Sequence, residues 1–293
     1  PSLPGGIAET AEQLPRKGRR GTVGLLLLRS YPLARNTGHY DGVLRALEAR
    51  GLDVVPAFAA GLDARPAIEK FFIRDGRPTV DAVVSLTGFS LVGGPAYNDA
   101  KAAEQVLARL DVPYVAAHPS EFQTLDQWGG SPRGLMPVES TIMVAIPELD
   151  GSTGPIVFGG RSDCAGNACT GCSKACVFPP SSSGRDMQSC TERAEMLAAR
   201  VDKLVALRRA DRARRKIAVV LFNFPPNAGN TGTAANLAVF ESLHRTLTAM
   251  RAEGYTLEVP ESADALRQRV VEGNAARYGA LANVAACIPT DDH

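Results

Sequence analysis

Residues 216–255 read KIAVVLFNFPPNAGNTGTAANLAVFESLHRTLTAMRAEGY, and the fold class turns on this stretch. Residues 217–221 form a short apolar run rich in β-branched side chains, the pattern of a buried strand. A loop with two prolines and two glycines follows over residues 223–232. Phe240, Leu243, Leu247 and Met250 then recur at the spacing of one helix face. Gly254 suits the residue just past a helix end, and Leu257 and Val259 open another strand. The unit is strand–helix–strand, with a polar, glycine-containing loop at the carboxyl end of its first strand. Open α/β sheets bind ligands at that place.

The same unit recurs near the other end of the chain. Residues 23–28 read as a strand and residues 29–38 as a loop. Tyr40, Val43, Leu44 and Leu47 mark a helix face, Gly51 stops it, and Val54 and Val55 resume a strand. Asn36-Thr37-Gly38 occupies the place of Asn230-Thr231-Gly232. The matched loops make Asn36, Thr37, Gly38, His39, Asn230, Thr231, Gly232 and Thr233 the candidate substrate-binding residues. Ordinary strand-to-helix turns are the competing reading. The expected architecture is α/β, with doubly wound, mostly parallel sheets in two related modules and an irregular cysteine-rich connection between them.

Boundaries follow from composition. Residues 1–21 are rich in proline, glycine and charge and read as a linker; residues 22–161 are the first module, 162–190 the cysteine-rich loop, and 191–293 a helix plus the second module. That second module has too few strands to bury both faces of a sheet. Within the first module, residues 64–71 form a short helix with Pro66 in its first turn. Residues 81–86 are a strand, residues 88–94 a glycine-rich turn, and Asn98 or Asp99 caps a helix whose face is Ala103, Val106, Leu107 and Leu110. Residues 112–116 and 156–158 are further strands. Residues 136–150 read as a helix from Pro137, with a strand over 142–146 nearly as good. Ser189 and Glu192 fit a capping box for a helix carrying Leu197, Val201, Leu204 and Val205. That helix ends in Arg208, Arg209, Arg212, Arg214, Arg215 and Lys216, a solvated helix end or, alternatively, a docking patch.

The 293 residues suit about two domains. A net charge of +1 gives no electrostatic case for nucleic acid. No apolar run is long enough to span a bilayer, and no signal peptide is evident, so the expected location is cytoplasmic. The chain opens at Pro1 and closes on Thr290-Asp291-Asp292-His293, and the expectation is an internal piece of a longer polypeptide.

Five of the six cysteines lie between Cys164 and Cys190. Such crowding favours metal over a disulfide framework. Cys164, Cys169, Cys172 and Cys176 are the candidate ligands. The first three match the plant-type ferredoxin interval and the last three part of the bacterial run. A 4Fe-4S cluster is the reading this favours; zinc is the alternative, and a metal-free loop remains open, as does the role of Cys190. His39 follows the first Asn-Thr-Gly and His118 follows a strand, both ligand-facing places in such a fold, with structural roles equally open. His244 lies between apolar helix positions and reads as structural. Neither dinucleotide nor P-loop glycine patterns occur, nor a G-x-S-x-G elbow.

Three blocks carry a resemblance: VGLLLLRSYPLARNTGHYDGVLRALEARGL at 23–52, GLMPVESTIMVAIPELDG at 134–151, and VVLFNFPPNAGNTGTAANLAVFESL at 219–243. They resemble the large porphyrin-binding subunits of magnesium chelatase, the bacteriochlorophyll-pathway form above all. The large subunits of aerobic cobaltochelatase are more distant relatives. The resemblance implies a share in ATP-dependent insertion of Mg²⁺ into protoporphyrin IX, with ATP bound by separate AAA+-type subunits. The family's His-Gly-x-x-Glu-Phe motif is not found in these residues, so it implies no chelation by this stretch alone. An iron–sulfur redox-sensing module and a plain interaction scaffold are the competing classes.

Overall fold

The run after residue 21 forms strand β1 (Thr22–Leu26), next to one edge of a six-stranded sheet. The computed structural model describes residues 7–15, 18, 20–59, 61–94, 97–162, 168–169, 172–178, 186–223, 228–234, 236–274 and 289. The chain divides into two units, Pro1–Arg209 and Ala210–His293.

In the first unit the other strands are β2 (Asp53–Ala57), β3 (Ala82–Ser85), β4 (Tyr114–Thr124), β5 (Ile156–Arg161) and β6 (Met187–Ser189). Their order is β6-β5-β4-β3-β1-β2, with every pair parallel except the antiparallel edge strand β6. The parallel part runs 2-1-3-4-5, the flavodoxin-like doubly wound order, which reverses between β1 and β3. Parallel strands need cover on both faces. On one face, helix α1 (Gly38–Ala49) brings Tyr40, Val43 and Leu47, and helix α4 (Thr191–Arg209) brings Leu197, Val201 and Val205, onto Leu25, Val84, Val115 and Phe158. On the other, helix α2 (Arg65–Phe71) and helix α3 (Ala100–Leu110) pack Ile68, Val106 and Leu110 onto Leu26, Val83 and Ala116. Each such side chain contributes roughly 1.5–3 kcal/mol by burial. Gly24 of β1 faces Phe72, and a Cβ there would lie 2.6 Å from the ring. Any side chain at position 24 would push α2 off the sheet.

Several expectations hold in detail. Asp99 caps α3, its carboxylate accepting the Ala102 N–H at 3.0 Å. Residues 136–150 are helical: Pro137–Glu139, a π-helical stretch Ser140–Ala145, and Ile146–Leu149. Pro147 has no N–H to continue the ordinary ladder, and a wider turn precedes it. β4 is longer than residues 112–116 because its pairing with β5 continues past shifts in register beside Pro119.

Two expectations need correction. The Ser189–Glu192 capping box does not form. Ser189 belongs to β6, the Cys190 carbonyl accepts the Ala194 N–H, and Glu192 instead accepts the Ser173 N–H at 2.8 Å. The helix expected with the second module therefore packs, as α4, on α1 and β5 of the first unit.

In the second unit, helix α5 (Val239–Ala252) ends before Gly254 at φ +90°, as its sequence indicates. Helix α6 (Ala263–Val271) is capped by Ser262, whose hydroxyl accepts the Ala265 N–H. His244 bonds the Pro260 carbonyl at 2.8 Å, a structural role. Residues 217–221 are not helical, but neither they nor Leu257 and Val259 join a sheet ladder among the described residues. Ile217, Val219 and Val220 are exposed, Val220 by 94%. An apolar run becomes a strand only when a neighbour takes its N–H and C=O groups, and the described residues offer none.

Candidate functional site

The first Asn-Thr-Gly loop lies beyond the carboxyl end of β1, as expected. After Leu28, whose N–H donates to the Tyr40 hydroxyl, comes a short helical turn, Ser30–Leu33. Two bonds fix this segment. The Tyr31 hydroxyl donates to Glu121 Oε1 at 2.6 Å, and Asn36 Oδ1 accepts the Met187 N–H of β6 at 2.8 Å. Thr37 donates to Asp41 at 2.8 Å. A Cβ on Gly38 would come 2.7 Å from the Met187 carbonyl, so glycine lets α1 and β6 touch.

His39 opens α1 and is fully buried. Its ring stacks on Tyr40 at 3.8 Å, meets Tyr31 edge-on at 4.7 Å and lies parallel to Phe158. Neither ring nitrogen has a hydrogen-bond partner among the described residues, and desolvation lowers its pKa to about 3. His118 is also buried, lacks such a partner at Nδ1, and is lowered to about 4 by desolvation. Both imidazoles are neutral at physiological pH.

A cleft opens at the sheet's switch point. Leu26, Leu28, Phe58, Thr87 and Phe89 line it, and with its open mouth it encloses about 320 Å³. The space inside it is only about 20 Å³, against about 300–1,000 Å³ for ligand pockets, so it is a shallow recess that encloses no large ligand. Its hydroxyls are already engaged, Ser85 with Thr87 at 2.9 Å and Ser90 with the Val92 carbonyl at 3.2 Å.

The second loop is placed differently. Gly232 donates to the Phe222 carbonyl with φ +72°, and Thr233 donates through both N–H and hydroxyl to the Asn230 carbonyl. Asn230 and Thr231 have further partners. The residue preceding α5 is Ala238, so Thr231 and Thr233 neither cap that helix nor stand at its positive end.

The cysteines assemble only in part as their spacing suggests. Cys172, Cys176 and Cys190 bring their sulfurs within 4.8 Å of one another, and Cys172 and Cys176 are 3.7 Å apart. Cys169 lies outside that trio, buried with Leu125, Val157 and Phe178 beneath it, its N–H donating to the Cys176 carbonyl. Cys164 lies outside the described residues. Cys190 joins because β6 returns the chain to the sheet edge and delivers it to the start of α4. Spacing alone could not reveal this, since fourteen positions separate it from Cys176. Ser173 and Lys174 fasten the loop to Glu192 and Glu195 of α4.

Desolvation acts to raise the Cys172 thiol, but the Cys176 and Lys174 N–H groups and the neighbouring thiols outweigh it and lower it below the ordinary range. Burial pushes the Cys190 thiol up to about 12. Three sulfurs this close do not ionise together without a cation, and a bound metal supplies that charge. A metal–sulfur bond of about 2.3 Å in tetrahedral geometry sets sulfurs roughly 3.8 Å apart, so the trio fits a soft metal. Residues 208–216 are largely spoken for: Arg208 bonds the Asp111 carbonyl, Arg209 pairs with Asp81 at 3.2 Å, and Arg212 pairs with Glu253.

Comparison with known proteins places these features. The family profile described as CobN/Magnesium Chelatase matches residues 6–293. The chain is 55% identical over 293 residues to the magnesium-chelatase H subunit of Cereibacter sphaeroides, covering 99% of this chain and 24% of that protein. It is 39% identical over 259 residues to the chloroplastic magnesium-chelatase ChlH subunit of Oryza sativa subsp. japonica, covering 87% and 17%. The chain thus spans about a quarter or less of these relatives. The solved catalytic subunit of cobaltochelatase from Mycobacterium tuberculosis shares its fold, with TM-score 0.64 and 24% identity over 88% of this chain and 20% of that one.

Proposed function

The chain belongs to the CobN/magnesium chelatase family, and from that premise we propose that it is part of the large, porphyrin-binding subunit of a magnesium chelatase. The whole-chain identity to the bacterial magnesium-chelatase relative carries this reading. The reaction is ATP-dependent insertion of Mg²⁺ into protoporphyrin IX, with ATP bound by separate AAA+-type subunits, in the cytoplasm. Mg²⁺ sheds water reluctantly, and two pyrrole protons must leave as it enters the ring. Both demands call for an enclosed site with bases at hand. The cleft at the switch point is too small for a whole tetrapyrrole, so in this reading the first unit supplies one wall. The Asn-Thr-Gly residues 36–38 and His39 belong to that wall. Asn230, Thr231, Gly232 and Thr233 are proposed as substrate-binding residues of the second unit taken by itself. The test is direct. The full-length polypeptide should quench protoporphyrin IX fluorescence on binding and, with its partner subunits, ATP and Mg²⁺, should yield Mg-protoporphyrin. Insertion of Co²⁺ into a corrinoid ring instead would replace this reading with the cobaltochelatase one.

The cysteine trio holds a soft metal in this proposal. The ferredoxin-like intervals favour an iron–sulfur cluster, which would make the loop sensitive to redox state. The close sulfur spacing favours a single zinc ion, because in a 4Fe-4S cluster each thiolate binds a different iron. Anaerobically purified protein that is brown and contains iron and acid-labile sulfide carries a cluster; colourless protein with stoichiometric zinc carries the ion. Neither metal bound would remove the metal reading.

A further inference from the structure

Ligands of doubly wound sheets sit outside the strand ends where the order reverses, which is here between β1 and β3. The cleft at that point is apolar, and its hydroxyls are engaged with one another or with backbone. The charge stands at its lip. Arg29 follows the lining residue Leu28, and Arg35 lies at the far end of the same turn. Both are exposed, and neither has a carboxylate partner among the described residues. Arg20, Arg65, Arg74, Arg109 and Arg209 each pair with one. The turn carrying the two arginines is held at both ends, by Tyr31 on Glu121 and by Asn36 on Met187. The turn also exposes apolar surface: Leu33 is 65% exposed, and so is Phe122, next to the Glu121 that Tyr31 bonds, by 49%. A rigid turn combining unpaired guanidinium groups with exposed apolar side chains, beside an apolar cleft, suits an apolar ring that bears carboxylate arms.

We propose that Arg29, with Arg35 across the turn, binds a propionate of the tetrapyrrole while Leu33 and Phe122 take the edge of the ring. This rests on the porphyrin reading above. Guanidinium is the fitting group, since its fork matches a carboxylate bidentately.

The experiment compares protoporphyrin IX with its dimethyl ester, which keeps the ring and removes the negative charges. Binding to the full-length polypeptide is followed by fluorescence quenching for wild type, Arg29→Ala, Arg29→Lys and Arg35→Ala. Arg29→Ala should weaken the free acid about tenfold or more, Arg29→Lys should recover part of that loss, and the ester should bind all four proteins alike. Arg29→Ala binding the free acid as wild type does would overturn the proposal. So would equal loss of acid and ester, which marks a structural role. Wild-type protein that binds neither porphyrin overturns the porphyrin reading itself, and with it this one. Arg29 is exposed, so its variants should melt with wild type, and Arg29→Gln serves as a second neutral replacement should Ala not fold.

Discussion

Two buried imidazoles set the pH response at the scale of single residues. His39 and His118 are depressed from 6.5 to about 3 and about 4 by desolvation. The unfolded chain therefore binds protons between those values and about 6.5 that the folded chain refuses. Stability from this source is full above about pH 6.5 and falls as pH drops through that range, levelling off below the folded-state values. Each refused proton costs about 1.4 kcal/mol per pH unit, so at pH 5 each histidine removes at most about 2 kcal/mol. The melting temperature should decline between pH 7 and pH 5, a window above most carboxylate titration. His39→Phe, which keeps a ring against Tyr40 and Phe158, should flatten about half of that decline. An unchanged pH slope in His39→Phe would show that His39 is solvated in solution. The sequence placed His39 after the first Asn-Thr-Gly loop and His118 after a strand, whereas His118 lies within β4. It did not show that aromatic neighbours would bury His39, because Tyr31 and Phe158 come from distant segments. Asn36 is similar. Its amide is polar enough for a ligand, yet its carbonyl oxygen meets β6, a pairing across 151 positions.

Among the elements, legibility tracked the range of the interaction. β1, α1, β3 and α3 were readable because each carries its own periodicity and its own stop or cap, as Asp99 and Gly51 do. β6 was not. Three residues, Met187–Ser189, hold no period, and they form a strand because Gly159, Gly160 and Arg161 offer an edge. Gly38 and Gly42 of α1 clear the space for it: a Cβ on Gly42 would overlap the Ser189 side chain. Gly38 was read as part of the loop, whereas both glycines are contact residues. The run 217–221 fails in the opposite direction. Its pattern reports a preference for burial, but a pattern cannot say what does the burying, and the described residues leave it exposed. The cysteines show both limits at once. Their crowding pointed to a candidate metal site, while the trio of Cys172, Cys176 and Cys190 depends on β6 turning the chain back.

Across the first unit as a whole, the thiol trio and the turn at residues 30–38 are mechanically connected through β6. Cys190 directly follows β6, and β6 holds Asn36 through the Met187 N–H and abuts Gly38. Cys172 and Cys176 come from the loop before β6, and that loop is fastened to α4 by Ser173 and Lys174. A metal on the trio therefore staples the two sides of β6, and this holds for zinc and for a cluster alike. A ligand that binds only the folded state stabilises by RT ln(1 + [L]/Kd), about 2.7 kcal/mol at a hundredfold excess over Kd. Removing it should lower the melting temperature by several degrees. It should also raise amide hydrogen exchange at Met187–Ser189 and in the turn at residues 30–38, while the buried strands β1 and β3 keep their protection. Cys190→Ser should reproduce the metal-free pattern, whereas Cys169→Ser, outside the trio, should retain the metal. If chelation leaves exchange at residues 30–38 unchanged, the staple ends at β6, and the metal serves the cysteine loop alone. If exchange rises there, protoporphyrin affinity should fall with it, because the turn bearing Arg29 and Arg35 loses the support of the Asn36–Met187 bond.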